Sequence, residues 1–364
     1  MPRKNAPLGP RSVVKAFPDT EPTQVYDGPI TTNYFVAAEK RPQVKTLVRL
    51  RDEVIANPVR TYEISLHMVG LHLLSRVYPP PMEGTKVKSS GGAPAHHPLM
   101  APFKPPHLHF VLKPPPLPPP RRRGPRRRRK HPTAPIGVFP PDNRSMFDTT
   151  AYPWSAFGRC RANSSFSGVL VGPRHVLTCS HAINWSAPVG FNADWFTFTP
   201  DTFLGSKPFG STYGEHVYYY RRVDEDPEQP DDFQFDYAVV VLHDRIGDAT
   251  GWFGVQTYDN AWDDSPLWWH AGYPYDAPYD STRPTYEDKI ALNGDDTHPN
   301  EHKMISHHAD SPVGHSGGPM FGYWDGEPGP RAVAVQSLSG SSGNDASGGS
   351  DLVELVIRAR TDFP

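Results

Sequence analysis

Cysteine is nearly missing from this chain: two stand among 364 residues. That excludes a disulfide-dense small scaffold and most structural zinc sites, which need several soft ligands close together. No apolar run approaches the ~18 residues a membrane-spanning helix requires. The start, MPRKNAPLGPRSVV, is basic but has no apolar stretch after it, so no secretory signal peptide is visible. No internal repeat is found. Proline, by contrast, is plentiful: 44 residues, more than twice the usual level of about 5%. A hydrophobic share of 37% allows a core, though not one running the whole length.

The formal net charge of -2 conceals a division. Residues 1–140 hold 23 Lys/Arg and 8 Asp/Glu, whereas residues 141–364 hold 14 and 31. Charges of +15 and −17 imply two parts able to attract each other or to meet different partners.

Texture divides the chain in the same way. Residues 1–78 carry weak signals; Val44–Ile55 and Tyr62–Val77 each fit a short helix or strand. Between Pro79 and Pro141 there are 19 prolines. Proline removes donors and fixes φ, so residues 79–140 are expected to form a disordered, extended linker rather than a packed domain. Within it, Pro116, Pro119 and Arg121 fit a PxxPxR ligand for an SH3-type module. Eight of the ten residues from Arg121 to Lys130 are basic. A solvated run without a role is the default reading. A processing site for a dibasic-cutting protease comes next, ahead of a nuclear address or a patch for nucleic acid or anionic membrane.

From 141 to 364 short β-rich runs alternate with Gly, Pro, Asn and Asp turns: SFSGVLVG, HVLTCSHAI, WFTFT, HVYYYRRV, DYAVVVL, RAVAVQSL. That pattern predicts an all-β barrel or sandwich. A helix is expected at the end, capped by Ser350, with Leu352, Leu355 and Val356 on its apolar face.

Chemistry concentrates in Gly314-His315-Ser316-Gly317-Gly318-Pro319. A serine between glycines can present its hydroxyl on a tight turn, and the glycines let a carbonyl approach backbone N–H groups. The α/β-hydrolase elbow has the same GxSxG, but its histidine follows the serine, and no histidine follows His315. The base must lie upstream. His181 ends a β-rich run and Asp236 opens another, with Asp231 and Asp232 as rivals. The order His181, Asp236, Ser316 is that of the chymotrypsin-type triad.

The blocks GPRHVLTCSHAINW, FDYAVVVL and GHSGGPMFGYWDGEPGPR, with the opening DNRSMFDTTAYPWSAFGR, resemble secreted trypsin-like serine proteases of the glutamyl-endopeptidase branch, particularly fungal ones. The resemblance spans roughly residues 138–364. It implies two packed six-stranded antiparallel β-barrels with a C-terminal helix. It also implies a His181–Asp236–Ser316 triad, an oxyanion hole from the Gly314 and Ser316 N–H groups, and a polypeptide substrate. Ser311 and Gln336 would line the specificity pocket, Ser337 would support Asp236, and Ser339-Gly340 would pair with an extended substrate. No metal or organic cofactor is implied, and the enzyme is expected to be monomeric and secreted.

Several departures stand out. His315 occupies the place where trypsin has an aspartate, so activation through that ion pair is not expected. The family disulfide beside the catalytic histidine is replaced by Phe166 and Ala182, which leaves a Cys160–Cys179 pairing open. Gln336 stands where glutamate-selective enzymes usually have histidine, which favours a neutral or mixed preference. The expectation is therefore a serine endopeptidase made as a precursor, with residues 1–78 as a pro-region that could inhibit it and cleavage between about Arg121 and Arg144. Two alternatives are an inactive protease-fold binding module and a protein acting on nucleic acid or an SH3-type partner through its linker. His298–His302 matches HxxEH, but Pro299 and its polar neighbours argue for a loop. His307 and His308 are expected mainly at the surface. The acidic run 224–232 reads as a solvated loop. Asn143, Asn163 and Asn184 begin N-x-Ser sequons.

Overall fold

The computed structural model describes residues 6–17, 43–52, 60–69, 82–118, 135–186, 195–223, 232–294 and 299–364. The elements begin with α1 (Pro10–Ala16), β1 (Gln43–Asp52) and β2 (Arg60–Val69), then β3 (Glu83–Lys86) and β4 (Ser145–Met146). The first barrel comprises β5 (Phe157–Arg161), β6 (Ser165–Gly172), β7 (His175–Thr178), β8 (Thr197–Pro200), β9 (Thr212–Tyr219) and β10 (Ala238–Leu242). After α2 (Gly247–Thr250) and β11 (Gly254–Val255), the second comprises β12 (Pro266–Gly272), β13 (Thr285–Gly294), β14 (Lys303–His307), β15 (Pro319–Tyr323), β16 (Pro330–Ser339) and β17 (Asn344–Gly348). The chain ends in α3 (Ser350–Asp362). The stretches around Val44 and Tyr62 are strands, pairing antiparallel as β1 and β2.

Each set of six closes on itself. In the first barrel the order β10-β7-β6-β5-β8-β9 is completed by pairing of β10 with β9; in the second, β17 pairs with β16. Closure removes exposed edges, so apolar strands such as AVVVL of β10 are buried along their whole length. A shift in register between Trp268 and Trp269 lets two successive tryptophans of β12 both be buried, Trp268 in the second barrel's core and Trp269 in the larger core.

The proline-rich stretch departs from expectation. Residues 82–118 lie on the barrels as an extended strap. Proline density was expected to exclude packing, yet Met100, Leu108, Val111 and Leu112 are buried. Proline lacks a donor, but its carbonyl and its neighbours' amides remain available. β3 adds parallel to β9. Val111 N donates to Tyr152 O at 2.8 Å and Tyr152 N to His109 O at 2.9 Å. Trp154 Nε1 donates to Val111 O at 2.8 Å, Tyr286 OH to Pro114 O at 3.1 Å, and Arg331 to Met100 O at 2.9 Å. Phe103 stacks on Trp252 with ring centres 4.4 Å apart. Residues 6–17 join this layer: Leu8 N donates to Tyr323 O at 2.6 Å, and Phe17 stacks on Phe110 at 4.7 Å. The basic run Arg121–Lys130, with Arg121 of the PxxPxR pattern, lies outside the described residues.

The terminal helix forms where expected, with Leu352, Leu355 and Val356 buried. Its cap differs. Gly349 takes the N-cap position at φ 110°, and Ser350 is already helical. Carbonyls cap the first turn instead, with Ser350 N donating to Asn300 O at 3.1 Å and Asp351 N to Glu301 O at 2.8 Å.

Candidate active site

His181 follows β7, and Asp236 precedes β10; these strands are neighbours, so the two side chains emerge together. His181 Nδ1 lies 2.7 Å from Asp236 Oδ2. Asp236 is fully buried and its charge is well provided for. The backbone N–H groups of Ser180 and His181 donate to Oδ1 at 2.9 and 2.8 Å, and Ser337 Oγ donates to Oδ2 at 2.5 Å. Ser337 thus stands on Asp236. The rival Asp232 instead pairs with Arg221 at 2.8 Å.

Burial penalises both charged forms, but mutual attraction outweighs it. The imidazole draws Asp236 below the usual carboxylate range, and the carboxylate raises His181 well above its ordinary value. The carboxylate thus stabilises the imidazolium that forms when this histidine accepts a proton.

Ser316 lies on the turn between β14 and β15 and is half-buried. The turn is pressed against the first barrel. Ser167 N donates to Ser316 O at 2.9 Å, and Ser167 Oγ to Gly314 O at 2.7 Å. Gly317 has φ 76°, and a Cβ there would sit 2.2 Å from Thr178 Oγ1 and 2.8 Å from Cys179 N. Only glycine lets the turn approach the strand leading to His181 so closely. Among the described residues no hydrogen bond joins Ser316 Oγ to His181 Nε2; the latter lies 4.0 Å from Cys179 Sγ. Before substrate binds, such contacts are often long.

Three N–H groups around the turn are taken: His315 by Pro312 O, Gly317 by Gln336 O and Gly318 by His315 O. Among the described residues the Gly314 and Ser316 N–H groups have no acceptor. Two donors left open beside a serine form a place for an anionic oxygen.

The pocket side is more occupied than expected. Ser311 is buried, with Oγ 3.2 Å from His270 Nε2. Gln336 is buried; its amide N–H donates to Leu338 O at 2.8 Å, while its Oε1 has no hydrogen-bond partner among the described residues. Gly340, expected to pair with substrate, is engaged on both sides: its N–H donates to Asn344 Oδ1 at 3.0 Å, and its carbonyl accepts from Gly137 N at 3.1 Å. Gly137 O accepts from Ser311 N at 2.7 Å.

Asp310 escaped the sequence reading. Six residues before Ser316, it is buried and accepts from Phe139 N at 2.7 Å and Asn143 N at 2.6 Å. Arg144 anchors the same segment through Asp142 and Asp276, at 2.7 and 2.8 Å. An aspartate beside a nucleophile motif was a visible signal; its partners, far upstream, were not.

Other expectations are settled here. Cys160 and Cys179 are both buried and free, so they do not pair. His307 is buried, not at the surface, because the two-residue period of β14 turns Lys303, Ile305 and His307 inward; His308 is exposed. Tyr218, Tyr219, Tyr220, Trp268 and Trp269 all pack in cores. His298 lies outside the described residues, and His302 stacks on Phe235 at 4.1 Å. Most of the acidic run 224–232 also lies outside them. Among the described residues no helix is long and apolar enough to cross a membrane.

No family model matches the chain. It is 24% identical over 226 residues to a glutamyl endopeptidase of Bacillus licheniformis, covering 61% of this chain and 67% of that protein. Among solved structures it is similar to a Glu endopeptidase in complex with MPD, with 19% identity, 62% of this chain and 99% of that one covered, and a TM-score of 0.49. It is also similar to the protease Anisep from Arthrobacter nicotinovorans, with 19% identity, coverages of 57% and 95%, and a TM-score of 0.41. The fold, two closed six-stranded antiparallel barrels, is the trypsin-like double barrel.

Proposed function

We propose that this chain is a serine endopeptidase. The observation that carries the reading is the buried, four-fold bonded Asp236 holding His181 Nδ1 at 2.7 Å beside a serine turn with two unclaimed N–H groups. Ser316 Oγ attacks a peptide carbonyl and His181 Nε2 takes its proton. Asp236 holds the Nδ1–H tautomer and stabilises the imidazolium. The oxyanion rests on the Gly314 and Ser316 N–H groups. The proton then passes to the leaving amine, and water hydrolyses the acyl-enzyme by the same route.

The pocket favours an uncharged side chain. Both oxygens of Asp310 accept from the backbone N–H groups of Phe139 and Asn143, which turns the carboxylate toward that segment and gives it a structural partner there in place of a Lys or Arg side chain. Gln336 brings no cation for Glu.

The chain is read as a precursor. Because residues 135–144 are tied to Asp310, Gly340 and Asp276, the cut belongs upstream of Pro135, in the basic run. The strap 82–118 has hydrogen bonds and apolar burial of its own, so it stays bound after that cut. The expected product is two chains held without a disulfide.

Intact-mass and N-terminal analysis with a fluorophosphonate probe tests this. Labelling on Ser316, lost in Ser316→Ala, supports the enzyme. A correctly trimmed, folded chain that stays unlabelled while a control protease reacts refutes it.

A further inference from the structure

The serine turn rests on a second pair of imidazoles that the proposed reaction does not use. His315, immediately before Ser316, is 1% exposed, as is His270 of β12. His315 Nδ1 lies 3.0 Å from His270 Nε2, and His315 Nε2 lies 3.0 Å from Thr285 Oγ1 on β13. His270 Nδ1 lies 3.1 Å from the carbonyl of Pro319. The ring of His315 fits because residue 272 is glycine: a Cβ there would fall 2.4 Å from its Cγ.

One carbonyl sets the direction of the whole chain. Pro319 O can only accept, so His270 carries its proton on Nδ1. In a buried, neutral imidazole Nε2 is then an acceptor. It receives Nδ1–H from His315, and His315 Nε2 must receive the hydroxyl of Thr285. Ser311 Oγ lies 3.2 Å from the same nitrogen, whose one in-plane lone pair is taken by the nearer His315 N–H, so the hydroxyl adds only a longer, three-centre contact there. Burial lowers His270 to about 4 and pushes His315 well below its ordinary value, consistent with neutral rings. The titratable groups around them are His307, also held low by burial, Arg144, and Glu287, which faces His270 across the β12–β13 ladder.

We propose that His270 and Thr285 are positioning residues for the nucleophile: through His315 they hold the Ser316 turn by a one-directional, uncharged hydrogen-bond chain that also branches to Ser311 in the pocket wall. The role commonly given to a buried ion pair is performed here by neutral groups. A neutral chain needs no newly liberated α-amino group to complete it. This inference rests on the serine endopeptidase reading.

The test uses the whole protein after trimming in the basic run, with both of its parts present. Thr285→Val keeps the shape but leaves His315 Nε2 without a donor. It should slow fluorophosphonate labelling and kcat about tenfold with KM little changed, and Thr285→Ser should restore both to within about twofold. Far-UV circular dichroism and thermal unfolding check that both variants fold. Independently, ¹⁵N-histidine NMR, assigned with His270→Gln and His315→Gln, should show two neutral Nδ1–H tautomers from about pH 5 to 8. Normal labelling of Thr285→Val, or Nε2–H or doubly protonated rings at these positions, overturns the positioning role while leaving the protease reading intact. Failure of the trimmed wild type to label defeats the protease reading itself and removes the reaction the chain would serve, whatever tautomers NMR finds.

Discussion

The two histidine groups on either side of the serine turn place the same side chain in opposite electrostatic surroundings. His181 sits against a carboxylate that already accepts three other hydrogen bonds, and it is raised well above its ordinary value. His270 sits against a carbonyl, a hydroxyl and another imidazole, and it falls to about 4. Burial opposes the charged form at both places; what differs is whether a counter-charge is supplied. In one group a proton can be gained and passed on. The other holds its protons fixed, which suits a support.

Asp236→Asn breaks the comparison most severely. It removes the counter-charge while keeping the shape, and lets the amide stabilise the wrong imidazole tautomer. The loss in kcat should be on the order of 10⁴-fold, measured on a peptide substrate, with the fold retained. An activity near wild type would show that Asp236 is only a strand-end anchor.

Ser337→Ala is milder. It deletes one of the four hydrogen bonds to Asp236 and should lower kcat by about tenfold, accompanied by a higher apparent pKa of the carboxylate. Unchanged rates would assign Ser337 to packing alone.

Stability against pH sharpens the contrast further, because the two groups act with opposite sign. His270 binds protons more weakly folded than unfolded. Its contribution is complete above its ordinary 6.5 and declines as pH falls toward about 4. His181 binds protons more tightly when folded, so its contribution is present below 6.5 and is lost as pH rises through its folded value. Denaturant unfolding between pH 4 and 6.5 should fall by up to about 1.4 kcal/mol per pH unit for each such buried proton site. His270→Gln should flatten that slope, and His181→Gln should not. Equal slopes in wild type and His270→Gln would mean that the acid-labile groups lie elsewhere.

How much of this was readable in advance follows from the range of the interactions. The serine turn, the histidine after β7 and the aspartate before β10 are local features. Each is a short motif attached to a β-rich run, and their order along the chain excluded the hydrolase elbow. The all-β texture and the terminal helix were equally local. Ser337 was reached through resemblance, and the hydrogen bond to Asp236 gives it a physical reason.

The strap, the Asp310 clamp and the neutral histidine chain were not legible. Proline content describes what a backbone cannot donate; it says nothing about whether Val111 finds Tyr152 or Leu112 finds the core. Asp310 reaches amides at 139 and 143, and His315 meets residues at 270 and 285. Such contacts depend on which strands become neighbours when the barrels close. By itself the sequence determined the period of each strand, the places where the chain turns, and a set of reactive side chains in a telling order. Only the tertiary structure decided which of those side chains share a counter-charge, which remain neutral, and which N–H groups are left open. Ionisation and hydrogen bonding respond to groups within a few ångströms in space, however far apart they stand along the chain.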